Sequence, residues 1–165
     1  MKARVIVNPQ ANKGNCARRW PQIKAELEKN MGSLSPADVV MTRARGHASE
    51  LAREAVSHGC ERIISVGGDG TLNEVLNGLI VDNSPIAPGI VLAQVPGGTS
   101  NELSRSFGHL PLADACRAAV SPRLRPTDLF RVEAMAHSGK PAMRYGFVLA
   151  IAGAAATISW RAQRV

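Results

Sequence analysis

The stretch RIISVGGDGTLNEVLNGL, Arg62 to Leu79, changes period half-way along. Arg62 to Val66 is a short β-branched run that predicts a strand. Leu72, Val75, Leu76 and Leu79 recur at three- and four-residue intervals, the spacing of a helix that buries one face. Between them lies Gly67-Gly68-Asp69-Gly70, so strand and helix are joined by three glycines and a carboxylate.

The same unit repeats outward. Val5-Ile6-Val7 is a strand cut off by Asn8-Pro9, because proline cannot continue a ladder. Cys16, Trp20, Ile23, Leu27 and Met31 share a helical face, in a helix expected to begin near Pro21 or to kink there. Asp38 to Thr42 is a second strand, and Ala48, Leu51, Ala52, Ala55 and Val56 mark a helix that Gly59 closes. Beyond the opening stretch, Gly89 to Val95 reads as a fourth strand, followed by Pro96-Gly97-Gly98 and a helix from about Thr99. Strand and helix in alternation with short connections predict an α/β fold, a parallel sheet with helices on both faces. After Pro111 the pattern changes. A helix, Leu112 to Val120, leads past Pro122 and Pro126 to two strand-like runs, Asp128 to Ala136 and Met143 to Ala152, joined through His137-Ser138-Gly139-Lys140 as a hairpin. Residues 1–127 are thus expected to form one α/β domain, and 128–165 the first antiparallel strands of a second, mostly β domain left incomplete.

At 165 residues there is room for one domain and little more, and the 45% apolar, 20% charged composition is that of a globular chain. Aromatics make up only 4%, which gives an aliphatic core and disfavours the stacking platforms of single-stranded nucleic-acid binders. The net charge of +7 is unevenly spread: 11 Lys/Arg face 10 Asp/Glu up to Ser104, against 9 and 3 beyond it. Such a basic end reads as a solvated face or one that meets an acidic partner; an anionic membrane surface is one such partner. Cys16, Cys60 and Cys116 lack any C-x-x-C spacing and read as unpaired residues of a reducing compartment. The longest apolar run, Phe147 to Ile158, falls short of the ~20 residues that span a bilayer, so a cytoplasmic protein is expected.

Two strand-to-helix loops end almost identically, Gly70-Thr71-Leu72-Asn73-Glu74 and Gly98-Thr99-Ser100-Asn101-Glu102. Threonine three residues before glutamate predicts a capping box at each, the hydroxyl taking a free helix N–H. Capping does not explain the glycines, which let backbone approach a ligand closely and, at a helix start, favour an anion. With Asn8 to Gly14 after the first strand, three loops of small and polar residues open on one edge of the sheet, where open α/β sheets hold ligands. His47, His58, His109 and His137 have no partner at metal-ligand spacing and read as solvated or capping residues.

These loops resemble a known family. NP-x-x-x-x-G from Asn8, T-x-x-x-G-H-A from Thr42, GGDGTLNEVLNG from Gly67 and P-x-G-T-x-N from Pro96 occur in this order in the diacylglycerol kinase catalytic domain, the domain of bacterial lipid kinases and sphingosine kinases. The likeness runs from Arg4 to about Gly153, and neither GxxxxGK[ST] nor GxGxxG is present.

The resemblance implies a fold like the N-terminal domain of NAD and diacylglycerol kinases, and phosphoryl transfer from ATP with Mg²⁺ to a lipid hydroxyl such as that of diacylglycerol, in phospholipid metabolism. By position, Asn8, Pro9, Gln10, Ala11, Asn12, Thr42, Gly67, Gly68, Asp69, Gly70, Thr71, Leu72, Asn73 and Thr99 are then the nucleotide contacts. The glycine-loop amides would take the phosphates, and Asp69 would organise Mg²⁺ or the loop. Ser100 and Glu102 depart from the family's usual small residue and aspartate. Asp128 reads as a surface charge, while the resemblance has an aspartate there facing the nucleotide loops. No acidic residue follows Glu133, so a carboxylate base for the acceptor hydroxyl is not expected from the C-terminal part, and the chain alone is expected to be inactive on lipid. Two alternatives remain, a non-catalytic nucleotide-binding or regulatory fragment and a relative of NAD kinases. Expected partners are ATP, a lipid at a membrane surface with peripheral attachment there, and a second copy pairing along the exposed C-terminal strand, but no nucleic acid.

Overall fold

Alternate residues of three strands divide the interior in two. Val5, Val7, Ile64, Val66 and Val95 belong to one buried cluster, Ile6 and Ile63 to another, as a sheet covered on both faces requires. The computed structural model describes residues 2–108, 111–135 and 139–147. Its elements in chain order are β1 (Ala3–Val7), α1 (Asn15–Met31), β2 (Val39–Met41), α2 (His47–Ser57), β3 (Arg62–Gly67), α3 (Asp69–Gly78), β4 (Ile80–Val81), β5 (Ser84–Pro85), β6 (Val91–Pro96), α4 (Glu102–Ser106), α5 (Leu112–Val120), β7 (Phe130–Met135) and β8 (Pro141–Gly146). They fall into two compact units, Met1–Pro126 and Thr127–Val165.

In the first unit a four-stranded sheet of order β2-β1-β3-β6 is parallel throughout, as the alternation predicts. α1 and α5 pack on one face through Cys16, Ile23, Leu27, Cys116 and Ala119. α2 and α3 cover the other with Ala48, Leu51, Ala52, Ala55, Val75 and Leu79. The chain steps from β1 outward to β2 and then back across to β3. The order therefore reverses between β1 and β3, the kind of crevice at which open α/β sheets bind ligands.

At Gly78, α3 presses directly on the backbone of α2. A Cβ on Gly78 would fall on the carbonyl oxygen of Ser49, and Ser49 Oγ donates to the Glu74 carbonyl at 2.6 Å. At the far end of the sheet Arg62, 3% exposed, donates to the carbonyls of Ala119 (2.6 Å) and Ser121 (2.9 Å), satisfying the end of α5. All three cysteines are buried, and burial together with the nearby Glu26 carboxylate pushes the Cys116 thiol up to about 11.

Several boundaries differ from the sequence reading. α1 starts at Asn15 and runs through Pro21. Its first donors are held by its own loop, Cys16 N–H on the Ala11 carbonyl and Ala17 N–H on that of Pro9, and Pro21 lies on the exposed face of the helix. The fourth sheet strand begins at Val91, and the hairpin β4–β5 before it turns on Asp82 and Asn83, both at positive φ (50° and 61°), the pair a two-residue hairpin needs. α4 begins at Glu102 and not near Thr99.

In the second unit β7 and β8 pair antiparallel from Phe130 opposite Gly146 to Met135 opposite Pro141. The expected second strand, Met143 to Ala152, instead starts at Pro141, and its stretch beyond Phe147 lies outside the described residues. The expected first strand begins at Phe130 instead of Asp128, and Ala136, His137 and Ser138 lie outside the described residues too.

Replacing Gly78 with alanine is expected to lower stability by about 1–3 kcal/mol, because the methyl has only backbone to displace, although alanine is the better helix former. A urea midpoint equal to or above that of the parent would show that α2 and α3 do not meet at this point.

Candidate active site

The carboxyl ends of the four parallel strands form a crest, and hydrogen bonds continue the ladder into its loops. Asn8 N–H donates to the Val66 carbonyl (2.9 Å), Thr42 N–H to that of Val7 (2.8 Å) and Gly97 N–H to that of Gly67 (2.8 Å). The loops after β3 and β6 then pass at backbone contact. A Cβ on Gly68 would stand 3.2 Å from the Cα of Gly98, and one on Gly98 would overlap the Cα of Gly68. Beneath them a Cβ on Gly97 would lie 2.8 Å from Cys16 Sγ. Close approach, more than turn formation, is what these glycines provide.

Polar side chains tie the first loop to the others. Asn8 Oδ1 accepts the Gln10 N–H at 3.0 Å, and Asn8 Nδ2 donates to Thr71 Oγ1 at 2.9 Å across the β1–β3 crevice. Thr99 Oγ1 donates to Asn12 Oδ1 over a longer 3.4 Å. Asn12, Lys13 and Gly14 follow one another at positive φ, and with the Cys16 and Ala17 donors already taken the loop closes over the start of α1.

The start of α3 is different. Its N-cap is Gly68, which has no side chain to cap with, and the N–H groups of Asp69, Gly70 and Thr71 have no carbonyl within the helix to bond. Asp69 stands at the first position with Oδ1 buried and without a hydrogen-bond partner. Free donors and an unpaired carboxylate oxygen lie within a single helical turn.

The expected capping boxes are not formed at either loop. Thr71 is inside α3, 5% exposed, with its hydroxyl taken by Asn8, and Thr99 lies ahead of α4, whose N-cap is Asn101 in a left-handed conformation. The Thr-x-x-Glu spacing fits a cap, but the glycines start α3 three residues earlier, and the contact between loops holds Thr99 outside α4.

Of the residues read from the sequence, Asn8, Asn12, Thr71, Thr99 and the Gly67–Gly70 loop are brought together on the crest. Thr42 follows β2 on the same edge and is half-buried. Gln10 is exposed, Pro9 offers its carbonyl to α1, and Asn73 accepts from Asn77 Nδ2 through its carbonyl (2.8 Å) and its Oδ1 (3.3 Å). Ala11 packs on the core and Leu72 is 1% exposed, so only their backbone faces the loops. The motif reading leaves out the side chain of Asn101, which closes the Pro96–Asn101 motif. Among the described residues no three His, Cys, Asp or Glu gather as a metal site; His47 Nδ1 accepts the Arg43 N–H (3.0 Å), and His58 Nδ1 lies 2.7 Å from the Glu54 carbonyl.

The family model of the diacylglycerol kinase catalytic domain matches residues 2–132. The chain belongs to that family. It is 36% identical to sphingoid long-chain bases kinase 1 of Arabidopsis thaliana over 156 residues, 89% of this chain and 20% of that protein. To the diacylglycerol kinase of Bacillus subtilis strain 168 it is 33% identical over 135 residues, 79% of this chain and 42% of that one. The crystal structure of a diacylglycerol kinase from Bacillus anthracis strain Sterne superposes with a TM-score of 0.62 at 29% identity, covering 85% of this chain and 45% of that one. The chain thus spans less than half the length of these family members. No helix among the described residues is long and apolar enough to cross a membrane.

The two threonines should separate in a stability measurement. Thr71→Val leaves the Asn8 amide without its acceptor and is expected to cost about 1–2 kcal/mol in denaturant unfolding, while Thr99→Ala, exposed and weakly bonded, stays within about 0.5 kcal/mol of the parent. Equal losses at both would restore the capping reading.

Proposed function

We propose that this chain binds ATP with Mg²⁺ on the crest and serves the nucleotide side of a lipid kinase, one that phosphorylates a lipid hydroxyl of the diacylglycerol or sphingoid-base class. The reading rests on the start of α3: three amides without helical acceptors beside the buried, unpartnered Asp69 Oδ1. Amides at a helix start suit phosphate oxygens, yet the Asp69 carboxylate repels them unless a cation stands between. A hard divalent cation held by one carboxylate and by phosphate oxygens fits this donor set. When bound, Mg²⁺ supplies the charge neutralisation that phosphoryl transfer needs.

The chain's own residues would position the nucleotide. The Asp69, Gly70 and Thr71 amides would take phosphate oxygens, and Gly68 and Gly98, without side chains, would let it approach the backbone. Asn8, through Thr71, would hold the first loop against α3, with Thr42 and Thr99 at the rim. The names of the relatives support the lipid classes. The basic excess beyond Ser104, with Arg123 and Arg125 flanking a Leu124 that is 60% exposed, supports contact with an anionic lipid surface.

Calorimetry of the folded chain with ATP is expected to give binding heat that requires Mg²⁺. In Asp69→Asn, of the same size and without the charge, that affinity should fall at least about tenfold while the thermal midpoint moves by only the few degrees that a lost helix-end charge brings. A folded parent that gives no heat, or an Asp69→Asn variant that binds as well as the parent, would overturn the reading.

A further inference from the structure

Asn101 is 9% exposed and left-handed, with φ 51°, immediately before α4. Its amide meets the same residue twice: Oδ1 accepts the Gly98 N–H at 3.0 Å and Nδ2 donates to the Gly98 carbonyl at 2.9 Å. Gly98 is the residue whose backbone lies against Gly68, so both bonds act where the loops after β3 and β6 touch. The side chain has a firm base. α4 has only five residues, too few to stand alone, but Ser104 Oγ donates to Gln94 Oε1 on β6 at 2.8 Å, and Arg105 N–H to the Asn101 carbonyl at 2.9 Å.

We propose that Asn101 is a positioning residue, a strut that takes its footing on β6 through α4 and locks Gly98 against Gly68, thereby fixing Thr99 and the start of α3 for the nucleotide. The inference rests on the nucleotide reading of the crest. Residue type and place agree with it. Asparagine tolerates the left-handed backbone and carries both a donor and an acceptor, whereas aspartate would set an oxygen against the Gly98 carbonyl. Gly97 is already held by its N–H bond to Gly67, whereas the hydrogen bonds to Gly98 among the described residues come from the Asn101 amide. A glycine freed there must be ordered again when ligand binds, and ordering one backbone residue weakens binding roughly 5- to 30-fold.

Asn101→Gly separates the strut from the backbone conformation, because glycine keeps the positive φ and removes the amide. Amide exchange followed by NMR should show the Gly98 N–H exchanging at least about tenfold faster, the Gly68 resonance shifted and the β3 amides as protected as in the parent, while the dissociation constant for ATP with Mg²⁺ rises roughly 5- to 30-fold. Ser104→Ala, which loosens the base and leaves Asn101 in place, should move both readouts in the same direction by less. Should Asn101→Gly not fold, Ser104→Ala decides. An Asn101→Gly protein with Gly98 still protected, or with affinity within twofold of the parent, overturns the proposal, as does a Ser104→Ala protein unchanged in both. A parent that shows the exchange pattern and binds no ATP overturns the nucleotide reading and leaves the strut standing.

Discussion

Backbone meets backbone where Gly67 and Gly68 pass Gly97 and Gly98, and the rest of the crest depends on that contact. β3 and β6 are neighbours in the sheet, so the loops that leave them start side by side. With side chains on both they would splay; a Cβ on Gly98 alone would collide with the Cα of Gly68. Their contact places Thr99 within reach of Asn12 and puts the start of α3 beside the β1–β3 crevice, which Asn8 and Thr71 bridge.

The crest then treats the starts of α1 and α3 in opposite ways. Loop carbonyls close the start of α1, while a glycine without a cap leaves that of α3 open, and beside it one carboxylate oxygen is buried unpaired. Burying such an oxygen without a donor costs about 1–3 kcal/mol. Arg4 Nε, Arg62 Nε, Ser65 Oγ and Gln94 Nε2 are also buried without a partner among the described residues, but Asp69 Oδ1 is the one carboxylate oxygen of this set and stands at the start of a helix. An unpaired carboxylate at the head of the crevice proposed for the nucleotide is where function is expected to outweigh stability.

Much of this architecture was legible because short β-branched runs alternate with helical spacings of three to four residues along the first 120 residues, and aliphatic residues of the parallel strands fill both faces of the sheet. The hairpin from Ile80 to Pro85 was not, since strands of two residues carry no period, and its turn pair Asp82-Asn83 is the only trace it leaves. The capping boxes misled for a related reason. Thr-x-x-Glu is a local pattern, and in both loops a long-range contact set the helix start, the hydrogen bond from Asn8 at Thr71 and the glycine contact ahead of Thr99. Ala11 and Leu72 were assigned to the site by their place in the motifs, and their side chains serve the core. The clamp of Asn101 on Gly98 depends on a left-handed residue, which sequence spacing does not display.

The central claim is that phosphate and a divalent cation meet at the start of α3. Mn²⁺ in place of Mg²⁺ reports on this directly, because its unpaired electrons broaden nearby NMR signals. With ATP present, the amides of Gly68 to Thr71 and of Gly98 and Thr99 are predicted to broaden first, while Mn²⁺ without ATP leaves them much sharper. Broadening centred on acidic side chains elsewhere, with the α3 amides still sharp in the presence of ATP, would contradict the account.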